Sequence, residues 1–235
     1  MVIGLLIVTA IPTVTGIAEA VHQQRSQNQE KAEAERMKKA LLLSSGAPAA
    51  PLAEQGLLEA PDILSVHGKL VVLRDGKAWL DEVNPAARKT TTAHTAQAFY
   101  VSYPFPDHLK ERGPKRGLVS SVATDPPMLN WIFVDKDTGE LRYGNRTASM
   151  EHVVGSWDWT EGKEGLDLEG VGVFVAVEEE EREVDGAVVP GGWALRFGGA
   201  AEVEGVRALV GGRKCVPVEL KRKELEEEDE EEEKE

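Results

Sequence analysis

The sequence predicts a mainly β fold: an antiparallel meander closed into a small barrel or sandwich, with an N-terminal helix and a disordered acidic C-terminal tail. Three observations carry that expectation. Apolar and polar residues alternate in several short runs, the period of a half-buried strand. Clusters of Gly, Pro and Asp separate those runs, as turn chemistry requires. All five Trp, all five Phe and all three Tyr lie between Trp79 and Phe197, which confines the residues that dominate burial to one central region. The chain divides accordingly into an apolar N-terminal segment and helix (1–43), an Ala/Pro/Gly linker (44–62), a β-rich domain (63–222) and an acidic tail (223–235).

The N-terminus opens with MVIGLLIVTAIPTVTGIA, an uncharged run of eighteen residues ended by Glu19. That length sits at the lower limit for a membrane-spanning helix, and Pro12 and two glycines interrupt it. Three readings stay open: membrane contact through residues 2–18, a cleaved secretory signal ending in Ala18-Glu19-Ala20, or soluble packing on the core. The next stretch, VHQQRSQNQEKAEAERMKKALLL, lacks Gly and Pro and is rich in helix formers, so a helix is expected there. Five basic and three acidic residues between Arg25 and Lys39 would hold the remainder of an uncleaved, anchored chain in the cytosol. SSGAPAAPLAEQG then reads as a linker.

In the central region, LVVLRDGKAWLD is two apolar runs joined by Asp75-Gly76, a pair suited to the positive φ angles of a two-residue hairpin turn. A hairpin over Leu70 to Leu80 follows. QAFYVSY alternates Phe99, Val101 and Tyr103, and GLVSSVA is a weaker strand. WIFVD and ELRYG flank a turn. VGVFVAVE places Val171, Val173, Val175 and Val177 on one face, WALRF sets Trp193, Leu195 and Phe197 opposite Arg196, and CVPVELK aligns Val216, Val218 and Leu220. Pro217 is expected on an edge, because it cannot donate to a ladder. No internal repeat is evident. The acid run Glu178 to Glu183 reads as an exposed hairpin or loop, able in principle to bind cations or a basic peptide.

Charge narrows the function classes. The formal net charge is -14, but the last twelve residues hold ten acids and one lysine, leaving -5 for the rest. A like-charged run of that kind repels itself and stays solvated. Nucleic acid is not an expected partner, since a phosphate backbone calls for a basic surface. The lone Cys215 forms no intramolecular disulfide, which points to an intracellular core, with secretion as the alternative. No metal or other cofactor is expected.

The candidate sites are few. Asp135, Asp137 and Gly139 resemble the opening of a calcium loop, but the later positions hold Glu140 where glycine is needed and Arg146 where a bidentate acid is needed. A turn with Gly139 in the left-handed region accounts for them. Asn145-Arg146-Thr147 is a glycosylation sequon only for a luminal chain. Ser149, His152 and Asp158 lack the nucleophile elbow of a hydrolase, and sequence proximity alone does not make a triad. Trp157 and Trp159 share one face of GSWDWT, with Asp158 on the other. Two such rings form core when buried and a stacking platform when exposed.

The segments LLIVTAIPTVTGIAEAV, DPPMLNWIFVDKDTGELRYGNRTASMEHVVGSWDWT and LDLEGVGVFVAVEEE resemble a family of uncharacterised proteins from filamentous fungi. The resemblance covers the first forty residues and roughly Gly117 to Glu180, and implies that the apolar N-terminus belongs to the protein. It brings no activity, ligand or catalytic residue. The expected function is therefore non-enzymatic binding or scaffolding, with a protein partner that the sequence leaves unnamed. The alternative is an enzyme or small-ligand carrier with a pocket near Trp157, Asp158, Trp159 and His152.

Overall fold

A computed structural model of the chain describes residues 40–46, 64–90, 92–106, 115–124, 127–160, 162, 164–184, 187–198 and 211–224. The turn chemistry at Asp75-Gly76 builds the first hairpin: β2 (Leu70–Arg74) and β3 (Lys77–Asp81) pair with Arg74 opposite Lys77. Asp75 has φ 51° and Gly76 φ 74°, so both central residues take the positive values that match a hairpin's right-handed twist. A second hairpin joins β7 (Pro127–Val134) to β8 (Leu141–Gly144). The third joins β11 (Val173–Glu179) to β14 (Gly192–Phe197), with the small ladder β12 (Arg182–Val184) and β13 (Ala187–Val189) in its connection.

The remaining long strands form a ring. β1 (Ala40–Gly46) pairs with β5 (Gln97–Ser102), and β5 with β6 (Arg116–Thr124). β6 lies beside β9 (Trp157–Trp159), where the Arg116 guanidinium donates to the Trp157 carbonyl at 3.3 Å. β9 pairs with β10 (Leu166–Leu168), Gly165 bridges to Lys221 of β15 (Cys215–Glu224), and β15 returns to β1. Closure of these six strands into a barrel leaves no long free edge. The three hairpins meet one another at one end: Lys77 pairs with Arg142, Trp193 with Leu80, and Glu140 with Arg196. The chain thus passes three times through strand, hairpin, strand. A short strand β4 (His94–Thr95) adds to β2.

The core fills the ring with Leu42, Tyr100, Leu118, Trp157, Trp159, Leu166, Leu168 and Leu220, and reaches the hairpins through Phe174, Ala176 and Leu195. Burying each such side chain contributes on the order of 1.5–3 kcal/mol before entropy is counted. Barrel geometry also decides which face of each strand points inward, and here several expectations change. In β5 the buried residues are Ala98 and Tyr100, not Phe99 and Val101. In β11 both faces are covered: Phe174 and Ala176 enter the main core, while Val175 and Val177 pack with Cys215 in a second cluster and Val173 is exposed. Arg196, expected on the side of β14 opposite Trp193, Leu195 and Phe197, is buried.

Pro217 does not lie on a sheet edge. It lies on β15, which pairs with β11 on one side and β1 on the other; it faces Val175 of β11, and among the described residues the ladder with β1 begins at Val218. The segment boundaries also move. Ala40 to Leu43, expected to end a helix, and Ser44 to Gly46, expected in a linker, form β1, whose partners on β15 run from Glu224 to Val218. Lys223 and Glu224, assigned to the acidic tail, belong to β15. The absence of an internal repeat is corrected by the threefold path of the chain, which repeats topology without repeating residue types. The membrane contact through residues 2–18, the helix before Ala40, the linker from 47 to 62 and the tail from 225 to 235 lie outside the described residues. Among the described residues no helix is long and apolar enough to cross a membrane.

Candidate functional site

Trp157 and Trp159 are 0% and 7% exposed, so both rings belong to the interior and form no surface platform. Trp157 stacks against Phe174 with centroids 6.3 Å apart, and Trp159 meets Tyr100 at 4.9 Å. Asp158, between them, points outward and pairs with Arg116. His152 sits with the second hairpin instead. Its ring stacks on Phe133 at 5.1 Å, and its Nδ1 accepts the Lys136 N–H at 3.3 Å and lies 4.0 Å from Asp135 Oδ2. The barrel holds the WDW triplet and the hairpin holds the histidine.

The other sequence candidates shape backbone. Asp135 Oδ1 accepts the N–H groups of Asp137 and Thr138 at 3.0 and 2.9 Å, and Gly139, with φ 71°, donates to the Asp135 carbonyl. Burial alone would raise the Asp135 pKa, but these hydrogen bonds and the His152 ring outweigh it and hold the carboxyl below its ordinary value. Asn145 caps the one-turn helix α1 (Arg146–Ser149), its side chain accepting from Ala148 N–H at 2.9 Å.

Where the three hairpins meet, their side chains form a buried ionic hub. Lys77 Nζ, from the first hairpin, donates to Glu140 Oε1 of the second at 2.8 Å and to Glu179 Oε1 of the third at 3.1 Å. Arg196 of the third donates through Nη2 to the same Glu140 oxygen at 3.0 Å and through Nη1 to the Thr138 carbonyl at 2.6 Å. Two cations thus face two carboxylates, and the balance makes their joint burial tolerable. Arg182 and Arg213 approach Glu179 from the rim at 4.0 and 3.8 Å.

Glu179 also lines a surface cleft of about 560 Å³, bounded by Lys89, Glu178, Glu180, Glu181, Pro190, Gly191, Gly192 and Trp193. The backbone of Pro190 and Gly191, which packs directly against the acid run, is clamped from the first hairpin. Arg74 lies 3.9 Å over the Trp79 ring and donates to the Pro190 and Gly191 carbonyls at 2.8 and 3.3 Å, while Lys89 Nζ donates to Gly191 at 3.3 Å. Gly191 is required by this approach: a Cβ there would lie 2.4 Å from the Glu179 carbonyl oxygen and 2.7 Å from the backbone of Glu180 and Glu181. Of the four carboxylates, Glu179 is engaged with the hub, and Glu178, Glu180 and Glu181 are exposed.

A six-strand barrel closed at one end by three hairpins is the architecture to which the comparisons point. A family model described as a fungal β-trefoil domain matches residues 16–226. The chain belongs to that family. No curated protein and no solved structure matches it. In this fungal β-trefoil the sequence reading missed the hub residues Lys77, Glu140 and Arg196, the barrel residue Tyr100 and the cleft residue Trp193. A usable signal existed for the hub. Lys77 opens β3 and Glu140 stands one residue before β8, each directly after a turn glycine, Gly76 and Gly139, so equivalent hairpin ends carry opposite charges. The trefoil's threefold path brings those ends together.

Proposed function

We propose that this β-trefoil is a non-enzymatic binding protein that takes a basic partner, such as a Lys- or Arg-rich segment, in the cleft beside Trp193. One observation carries the reading: a concave surface of about 560 Å³ lined by three exposed carboxylates, Glu178, Glu180 and Glu181, against the one amine of Lys89, with the Trp193 indole and a clamped backbone segment beside them. Carboxylates supply charge complementarity to ammonium or guanidinium groups, and an aromatic face adds cation–π attraction of about 0.5–2 kcal/mol. Clamping the wall before binding lowers the ordering cost of association. The trefoil family agrees with a binding role and names no ligand.

Titration calorimetry of the full chain with a heptalysine peptide tests the reading. Saturable binding that weakens with added salt and with the triple substitution Glu178→Gln, Glu180→Gln, Glu181→Gln is the expected result. Equal heats with the triple variant would remove the cleft from consideration, and absence of binding at low salt would end the basic-partner reading.

A further inference from the structure

The barrel interior carries a feature that the cleft does not use. Among the described residues, the Tyr100 hydroxyl and the indole N–H groups of Trp157 and Trp159 are buried without a hydrogen-bond partner, on side chains 3%, 0% and 7% exposed. The two indoles project from the same face of β9, and Tyr100 packs on Trp159 from β5. β5 and β9 flank β6 in the ring, and all three side chains belong to one core cluster. A buried polar group left unpaired costs about 1–3 kcal/mol, so three on side chains of one core cluster call for an explanation.

From this juxtaposition we propose that the barrel beside Tyr100, Trp157 and Trp159 is an internal binding site for a small neutral molecule with oxygen acceptors. The donor set selects that class. Indole N–H groups only donate, and a phenol donates or accepts, so the bound atom must be an acceptor. Burial, reinforced by the Asp158 and Asp167 carboxylates, raises the Tyr100 pKa and keeps its hydroxyl protonated, against the opposing influence of Arg116 and Arg222. The surrounding charges exclude an ion. Arg116, paired with Asp158, lies 5.9 Å over the Tyr100 ring, Arg222 lies 5.0 Å over Trp159, and Asp167 stands on the strand next to β9, giving two cations and two anions. A net charge brought into this balanced setting would be desolvated without compensation. Water and the hydroxyl groups of a small polyol share the required chemistry.

Two measurements on the full chain test the proposal. Tyr100→Phe removes one hydroxyl and leaves the ring, so an unpaired group would be lost without harm, whereas loss of a bond to an occupant lowers Tm by about 2–4 °C. The indole N–H resonances, assigned with Trp157→Phe and Trp159→Phe, are then followed in water and during titration with glycerol. Selective movement of the Trp157 and Trp159 signals on adding glycerol supports a polyol site; cross-peaks from them to water, unaffected by glycerol, support internal water. A Tyr100→Phe protein as stable as the parent or more so, or indole signals with neither response, overturns the proposal.

Discussion

Lys77 and Glu140 stand 63 residues apart in the chain, yet the ammonium of the first donates to the carboxylate of the second at 2.8 Å inside the hairpin cap. Neither charge is near solvent, and Glu179 and Arg196 complete the set. This network adds side-chain ties to the backbone pairs that already join the three hairpins. Removing one partner strands the other, so Lys77→Met is expected to destabilise the fold by about 3–5 kcal/mol. Urea denaturation of Lys77→Met, Glu140→Gln and the double variant checks this. The double variant should lose less than the sum of the singles, because both interrupt one network.

Trp157 is expected to be indispensable to the fold. Its ring is wholly buried against Phe174, and truncation leaves a large cavity where barrel and hairpins join. Trp157→Ala should cost about 3–5 kcal/mol, a large share of a domain's net stability. A cooperative thermal transition near that of the parent would contradict the core assignment.

Asp135 provides a pH signature. Its folded pKa lies below the ordinary 3.8, so its hydrogen bonds to Asp137 and Thr138 contribute fully above the unfolded value. That contribution falls as pH drops from about 4 through the depressed folded pKa. Stability measured from pH 6 to pH 2 should therefore decline less steeply in Asp135→Asn than in the parent, and parallel curves would remove Asp135 from the acid response.

Gly191 should separate cleft shape from cleft charge. A methyl group there meets the Glu179 carbonyl at 2.4 Å, so the wall must shift. Gly191→Ala is expected to weaken heptalysine binding and to lower Tm, whereas Glu180→Gln with Glu181→Gln should weaken binding at unchanged Tm. Calorimetry paired with thermal denaturation of both proteins reads the difference.

Much of the fold was legible where the cause is local. Asp75-Gly76 marked the first hairpin because few other pairs accept two positive φ angles. The alternation in WDW put both indoles on one side because strand side chains alternate whatever surrounds them. Facing was less legible: QAFYVSY is apolar on both sides, so nothing local says that Tyr100 rather than Phe99 turns inward. ALLLSSG reads as the end of a helix because Ala and Leu favour one. Pairing with β15 and β5 overrides that weak propensity.

The candidate site was legible only in fragments. The acid run was visible as composition, but its cleft depends on Arg74, which reaches Pro190 across 116 residues of chain. His152 and Trp157 are close in sequence, yet the turn after α1 leaves one on a hairpin and the other in the barrel. By itself the sequence determined the strands, their turns and a central aromatic core, since backbone sterics and side-chain period act over a few residues. Only the tertiary structure decided which faces turn inward, that four charges can be buried together and where a concave surface lies. Those outcomes depend on barrel closure, which sets neighbours by spatial distance and not by separation along the chain.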